Sequence, residues 1–126
     1  MNNIEELIEE ARKLTGKFNL GTNHRNTAGS IGSALFTADK HSLFTGINLD
    51  LKCGMGICAE QAAIMEMLKA RQTQIESLVN VHHSGEIYLP CGRCREFIAQ
   101  INKNNLKTKI ITPEKRIVTL EEILPY

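Results

Sequence analysis

Two short runs of the sequence bring together side chains able to do chemistry: Cys58-Ala59-Glu60, and Pro90-Cys91-Gly92-Arg93-Cys94. The two-residue gap between Cys91 and Cys94 lets both sulfurs turn toward one ion at a helix start, and Cys58 opens a second predicted helix that offers a third sulfur. Three thiolates leave one tetrahedral position free. Zinc is the expected metal, because it accepts sulfur ligands and keeps such a position for water in catalytic sites. Glu60, two residues after Cys58, is placed to take that water's proton and hand it on without binding the ion. Three thiolates would by themselves weaken the ion's power to acidify water. Two helix N-termini supply compensating positive potential, with Arg95, in preference to Arg93, expected beside the cluster. The residues alone leave other readings open. Cys91 and Cys94 also suit a structural zinc site or a redox dithiol, and Cys53 would complete a four-cysteine site, although that leaves Glu60 without a role. Cys53 is expected as a partly buried loop thiol outside the ligand set. His82 and His83 read as a strand end, and His24 and His41 as solvated residues of loop or turn.

The rest of the chain has the composition of an ordinary globular domain. Its 126 residues leave room for one domain, which buries roughly two thirds of the surface its unfolded chain exposes. Apolar residues at 42%, charged residues at 23%, and only 3 prolines exclude the disordered and fibrous classes. With 15 basic and 14 acidic residues the net charge is +1, so no overall field recruits nucleic acid or an anionic membrane. The absence of tryptophan and an aromatic content of 5% argue against a stacking platform for single strands. No run approaches the roughly 18 to 20 apolar residues of a membrane span. The acidic start, with Glu5, Glu6, Glu9 and Glu10, is the opposite of a secretory leader. A cytoplasmic location is therefore expected, where four cysteines signify thiolate or metal chemistry rather than disulfides.

Hydrophobic spacing predicts the elements that must position these side chains. Ile4, Leu7, Ile8, Ala11 and Leu14 mark an amphipathic helix over 3–14, capped by Asn2 or Asn3 and ended by Gly16. The Asn/Gly/Thr-rich run over 16–30 reads as loop. Residues 31–38 and 42–48 form a hairpin around Asp39, Lys40 and His41. A loop with Gly54 and Gly56 precedes a helix from Cys58 to about Arg71, whose small side chains permit close packing on a sheet. A strand over 75–81, a turn at Ser84-Gly85, a helix through about Asn104, strands over 107–112 and 116–119 and a short terminal helix over 120–124 complete an α/β layer fold with a mixed sheet.

Cys-Ala-Glu followed by Pro-Cys-x-x-Cys resembles the signature of nucleobase deaminases. The chain is similar to the cytidine deaminase family in its short three-cysteine form from about Asn26 to Leu124, including Gly46-Ile47-Asn48 and the Ile123-Leu124-Pro125 close. The run PCGRCR at 90–95 is also similar to that of blasticidin-S deaminase. The resemblance implies a cytidine deaminase-like three-layer α/β/α fold with a mixed five-stranded sheet, a homotetramer with sites near subunit boundaries, and hydrolytic deamination of a small cytosine nucleoside. It matches Cys58, Cys91 and Cys94 to the Zn²⁺ ligands and Glu60 to the proton-shuttling glutamate. Asn48 and Asp50 match sugar-binding positions, Asp50 standing where the nucleoside enzymes carry a glutamate. Ala59 matches a residue whose backbone contacts the base, and Pro90 fixes the approach to Cys91, leaving nearby carbonyls for the substrate amine. Three departures stand out. Gly29 occupies the position of an aromatic wall, which is expected to enlarge the pocket. Gln61 replaces an arginine, so neutralisation of the thiolates is expected to rest on helix ends and Arg95. The chain stops at Tyr126, short of an aromatic tail that Tyr126 is expected to replace in part.

Overall fold

Alternate residues of the central strands point into two different layers, and that parity organises the molecule. The computed structural model describes residues 3–21 and 23–124. Its elements run α1 (Asn3–Arg12), β1 (Phe18–Leu20), β2 (Asn23–Thr37), β3 (Leu43–Asp50), α2 (Ala59–Lys69), β4 (Ile75–His82), β5 (Ile87–Tyr88), α3 (Gly92–Ile101), β6 (Lys109–Ile111) and β7 (Ile117–Thr119), with 3-10 turns at Lys52–Gly54, Lys103–Lys107 and Leu120–Ile123. Ala34, Phe36, Val79, Val81 and Ile111 pack with Leu7 and Ala11 of α1. Their strand neighbours Leu35, Leu78 and Ile110 pack on the opposite face with Ala63, Ile64 and Met67 of α2 and Ile98 of α3. Three layers result, with one helix on one side of the sheet and two on the other.

The sheet is mixed and five strands wide. β3, β2, β4, β6 and β7 lie side by side, with β4 and β6 parallel and the other pairs antiparallel. Two short strands extend existing lanes. β1 pairs with Thr27 and Ala28 on the edge of β2 opposite β3, in line with β4. β5 pairs with Asn80 and Val81 on the edge of β4 opposite β2, in line with β6. The expected architecture is therefore the observed one.

The segment 16–30 differs from the loop expected of it, since it forms β1 and the first half of β2. Its polar residues lie where the strand leaves the two-sided core, so backbone pairing rather than hydrophobic alternation holds them. A bulge also masks the period: β2 shifts register against β3 between Ala28 and Gly32, and Gly29 adopts φ 88°. The helix expected to reach Asn104 stops at Ile101, because Asn102 is extended and its side-chain oxygen accepts the Asn104 N–H of a 3-10 turn. The terminal helix is likewise a 3-10 turn, capped reciprocally by Thr119 and Glu122. The cap candidates Asn2 and the side chain of Asn3, the side chain of His24, and Pro125 and Tyr126 lie outside the described residues. No helix among the described residues is long and apolar enough to cross a membrane.

Close packing of α2 on the sheet depends on Gly46 of β3. A Cβ there would lie 2.6 Å from the Ala63 nitrogen and 2.7 Å from the Ala59 oxygen. The helix begins at that contact, so the same glycine sets the height of Cys58 and Glu60 above the strands. Gly46→Ala should destabilise the protein by about 1–3 kcal/mol through overpacking, seen as a lower urea midpoint with an unchanged m value.

Candidate metal centre and cleft

Cys58 and Cys91 occupy the residue before the first turn of α2 and of α3, respectively, and both are in extended backbone conformation. A sulfur in that position stands where a capping oxygen usually sits, facing helix N–H groups and the positive end of the dipole. Cys94 lies in the first turn of α3. The three Sγ atoms lie within 4.8 Å of one another. Cys53 is absent from that group and is an exposed thiol rather than the partly buried one expected, so the four-cysteine reading falls away. It sits at φ 60° in the 3-10 turn after β3.

Crowding sulfurs in this way has an electrostatic consequence. Burial, reinforced by the charge of Glu60, pushes the Cys94 thiol far above its ordinary value. Burial also raises Cys58, with the Glu60 charge adding to it. Burial opposes ionisation of Cys91 as well, but hydrogen bonds from the Cys94 N–H and from the other two thiols outweigh it and bring Cys91 below its usual value. Three thiolates at this spacing need a cation. Sulfurs around a tetrahedral zinc with Zn–S bonds of about 2.3 Å stand roughly 3.8 Å apart, within the observed bound. The donor set thus fits zinc in number, softness and spacing.

Glu60, in the first turn of α2, is only 4% exposed, and its Oε2 accepts a 2.9 Å hydrogen bond from Asn80 Nδ2. Ala59 begins the helix, where the backbone N–H has no intrahelical acceptor. Both residues line a cleft of about 500 Å³ that also contains Cys58, Cys91, Asn48 and Asp50. Asn48 faces the β2 bulge across the strand pair: its Oδ1 accepts the Ile31 N–H at 2.9 Å, and its Nδ2 donates to Ser30 Oγ at 3.0 Å. One asparagine thereby satisfies the bulge and presents its amide to the cleft. Asp50 is exposed at the rim.

Arg95 holds backbone oxygens. Its guanidinium donates to the Pro90 carbonyl at 2.8 Å and the Ile123 carbonyl at 2.7 Å, tying the approach to Cys91 to the last 3-10 turn. The Pro90 carbonyl is therefore already engaged, whereas Arg93 lines the cleft. Gln61 acts locally, its side-chain oxygen accepting the Cys58 N–H at 3.1 Å and so fixing the backbone of a candidate ligand. Gly29 opens no space, because a Cβ there would lie 2.5 Å from the Gly16 oxygen. Aromatic surface is supplied elsewhere, by Tyr88 stacked on His82 with ring centroids 5.0 Å apart, both lining the cleft. Sequence reasoning missed Asn80, His82 and Tyr88 as cleft residues. Tyr88 had a usable signal, being two residues before Pro90-Cys91.

Residues 1–109 match the family described as the cytidine and deoxycytidylate deaminase zinc-binding region. Among solved structures, the chain is similar to cytidine deaminase from Mycobacterium leprae at 24% identity and a TM-score of 0.80, over 100% of both chains. It is similar to the Mycobacterium tuberculosis cytidine deaminase at 23% identity and 0.80, over 99% of this chain and 96% of that one. Cytidine deaminase from Burkholderia pseudomallei aligns at 22% identity and 0.74, over 99% and 98%. These identities establish a shared fold. No curated protein matches the sequence.

Proposed function

The chain belongs to the cytidine and deoxycytidylate deaminase zinc-binding family and is a zinc-dependent enzyme of deaminase type; from this premise we propose that it hydrolyses a free cytosine nucleoside, cytidine or deoxycytidine first, to the uracil form with release of ammonia. The observation that carries the reading is the convergence of three sulfurs, two of them from residues lining the cleft, near a buried carboxylate that lines it too. In this proposal residues 1–126 form one deaminase domain, and Cys58, Cys91 and Cys94 hold Zn²⁺. When bound, zinc supplies the Lewis acidity that makes water a nucleophile near neutral pH. Glu60 takes a proton from the attacking water and delivers it to ring N3, which leaves C4 electrophilic. After the C4–O bond forms, Glu60 takes the remaining proton of the new C4 hydroxyl and passes it to the exocyclic amine, the C4–N bond breaks as the C4 carbonyl forms, and ammonia departs.

The other cleft residues orient the substrate. Asn48 and Asp50 address sugar hydroxyls, the N–H of Ala59 meets the base carbonyl, and the Tyr88–His82 stack offers the base or a substituent a flat surface. Arg95 acts from outside the sulfur cluster by fixing Pro90. Blasticidin S, or another modified cytosine nucleoside, is the second reading, supported by the PCGRCR run and by a cleft roomier than a base alone needs. Thiols that must stay reduced fit a cytoplasmic location. The net charge of +1 supports a nucleoside rather than a nucleic acid as partner.

A product assay run in parallel on cytidine, deoxycytidine, cytosine and blasticidin S tests the reading. Uracil-type product and ammonia should appear from at least one nucleoside, and Glu60→Gln should keep zinc while losing about 10²- to 10⁴-fold or more in rate. Near wild-type turnover by that variant would remove Glu60 from the mechanism. We also propose a homotetramer with sites completed across subunit boundaries, supported by exposed apolar side chains at the cleft mouth and on α2: Ile57 lines the cleft at 48% exposure, and Met65 is 58% exposed. Sedimentation equilibrium at micromolar concentration should give the mass of four chains, and a fully active monomer would contradict it.

A further inference from the structure

Ser33 of β2 and Asn80 of β4 are register partners. They share the strand face of Leu35 and Leu78, which pack toward α2 and α3. An apolar pair would be the ordinary occupant of that row. Instead both residues are polar and buried, at 0% and 3% exposure. Neither Ser33 Oγ nor Asn80 Oδ1 finds a hydrogen-bond partner among the described residues. Burying unmatched polar atoms is unfavourable, so packing alone does not account for Asn80. Its one side-chain bond accounts for it better: Nδ2 donates to Glu60 Oε2 at 2.9 Å. A carboxylate only accepts, so this bond also fixes which end of the amide faces Glu60.

We propose that Asn80 is a positioning residue for the reaction. It ties down Oε2 of Glu60, and the flexible glutamate side chain is left with a single oxygen, Oε1, to serve the reacting atoms. The inference rests on the reading of Glu60 as proton carrier and deepens it. The strand sets the reach of the amide, because β4 is paired on both edges at Asn80, with Ser33 of β2 and with Tyr88 of β5. The carboxylate is thus referenced to a strand that is paired on both edges at that residue. Without that tether Glu60 samples other rotamers, and misplacement by about 1 Å at a reacting group costs on the order of 100-fold.

Asn80→Ala, zinc-loaded and assayed on cytidine beside the wild type and Glu60→Gln, should lower kcat by about 10- to 100-fold. KM should stay within about threefold, and zinc content and Tm should stay close to the wild-type values; a residue that merely fills space would not split kcat from KM in this way. A second readout needs no turnover: in ¹⁵N-labelled protein the Asn80 side-chain amide should exchange slowly with solvent, and Glu60→Ala should shift its signal and speed its exchange. This amide readout stands even if Asn80→Ala fails to fold. Unchanged kcat in Asn80→Ala beside an inactive Glu60→Gln, or an amide signal indifferent to Glu60→Ala, overturns the positioning role while leaving Glu60 in place. An active Glu60→Gln overturns both.

Discussion

Three sulfurs that repel one another once ionised are held within 4.8 Å, and the rest of the structure is organised around making that tolerable. Two helices begin at the cluster, so their unpaired N–H groups and dipoles face it. Burial and the Glu60 carboxylate work the other way, holding Cys58 and Cys94 toward the neutral thiol. The balance is one that a soft divalent cation resolves and that protein groups alone do not. Glu60 stands beside the cluster without joining it: its charge bears on Cys58 and Cys94, and its carboxylate is not among the three converging ligand atoms.

The sheet supplies the precision. Gly46 lets the first turns of α2 approach the strands, and Asn80 meets Glu60 from below on the same face. Bulged β2 places Ser30 and Ile31 beside Asn48, so the amide at the cleft edge is held by backbone as well as side chain. On the other side, Arg95 joins Pro90 to Ile123, connecting the start of α3 to the end of the described chain. Few of these links are strong alone. Together they leave little freedom to the groups lining the cleft.

An α/β layer fold with a mixed sheet was legible in helical spacing and strand-prone runs, and the pair Cys91 and Cys94 in its two-residue gap at a helix start, because these depend on short-range pattern. The three layers, the five strands and the place of Cys58 beside that pair were implied by the resemblance to cytidine deaminases. What escaped depends on long-range register. Asn80 looks like an ordinary strand residue until β4 is laid beside β2 and under α2. The strand nature of 18–20 and 23–30 was hidden by a bulge and by polar residues that pair through backbone. Gly29 was read as a missing ring, whereas the chain passes too close to Gly16 to admit one. Arg95 was weighed for its charge near sulfur and Gln61 for the charge it lacks; in the fold Gln61 accepts the Cys58 N–H within its own helix start, and Arg95 donates to the Ile123 carbonyl, a partner that only the path of the distant chain reveals.

The central claim is that one zinc rests on three cysteine sulfurs with its remaining position free of protein. X-ray absorption at the zinc edge, on protein purified without added metal, tests it most directly. The expected spectrum has three sulfur scatterers and one light atom at one zinc per chain. A four-sulfur shell, fewer than three sulfurs, or protein that holds no zinc would contradict it.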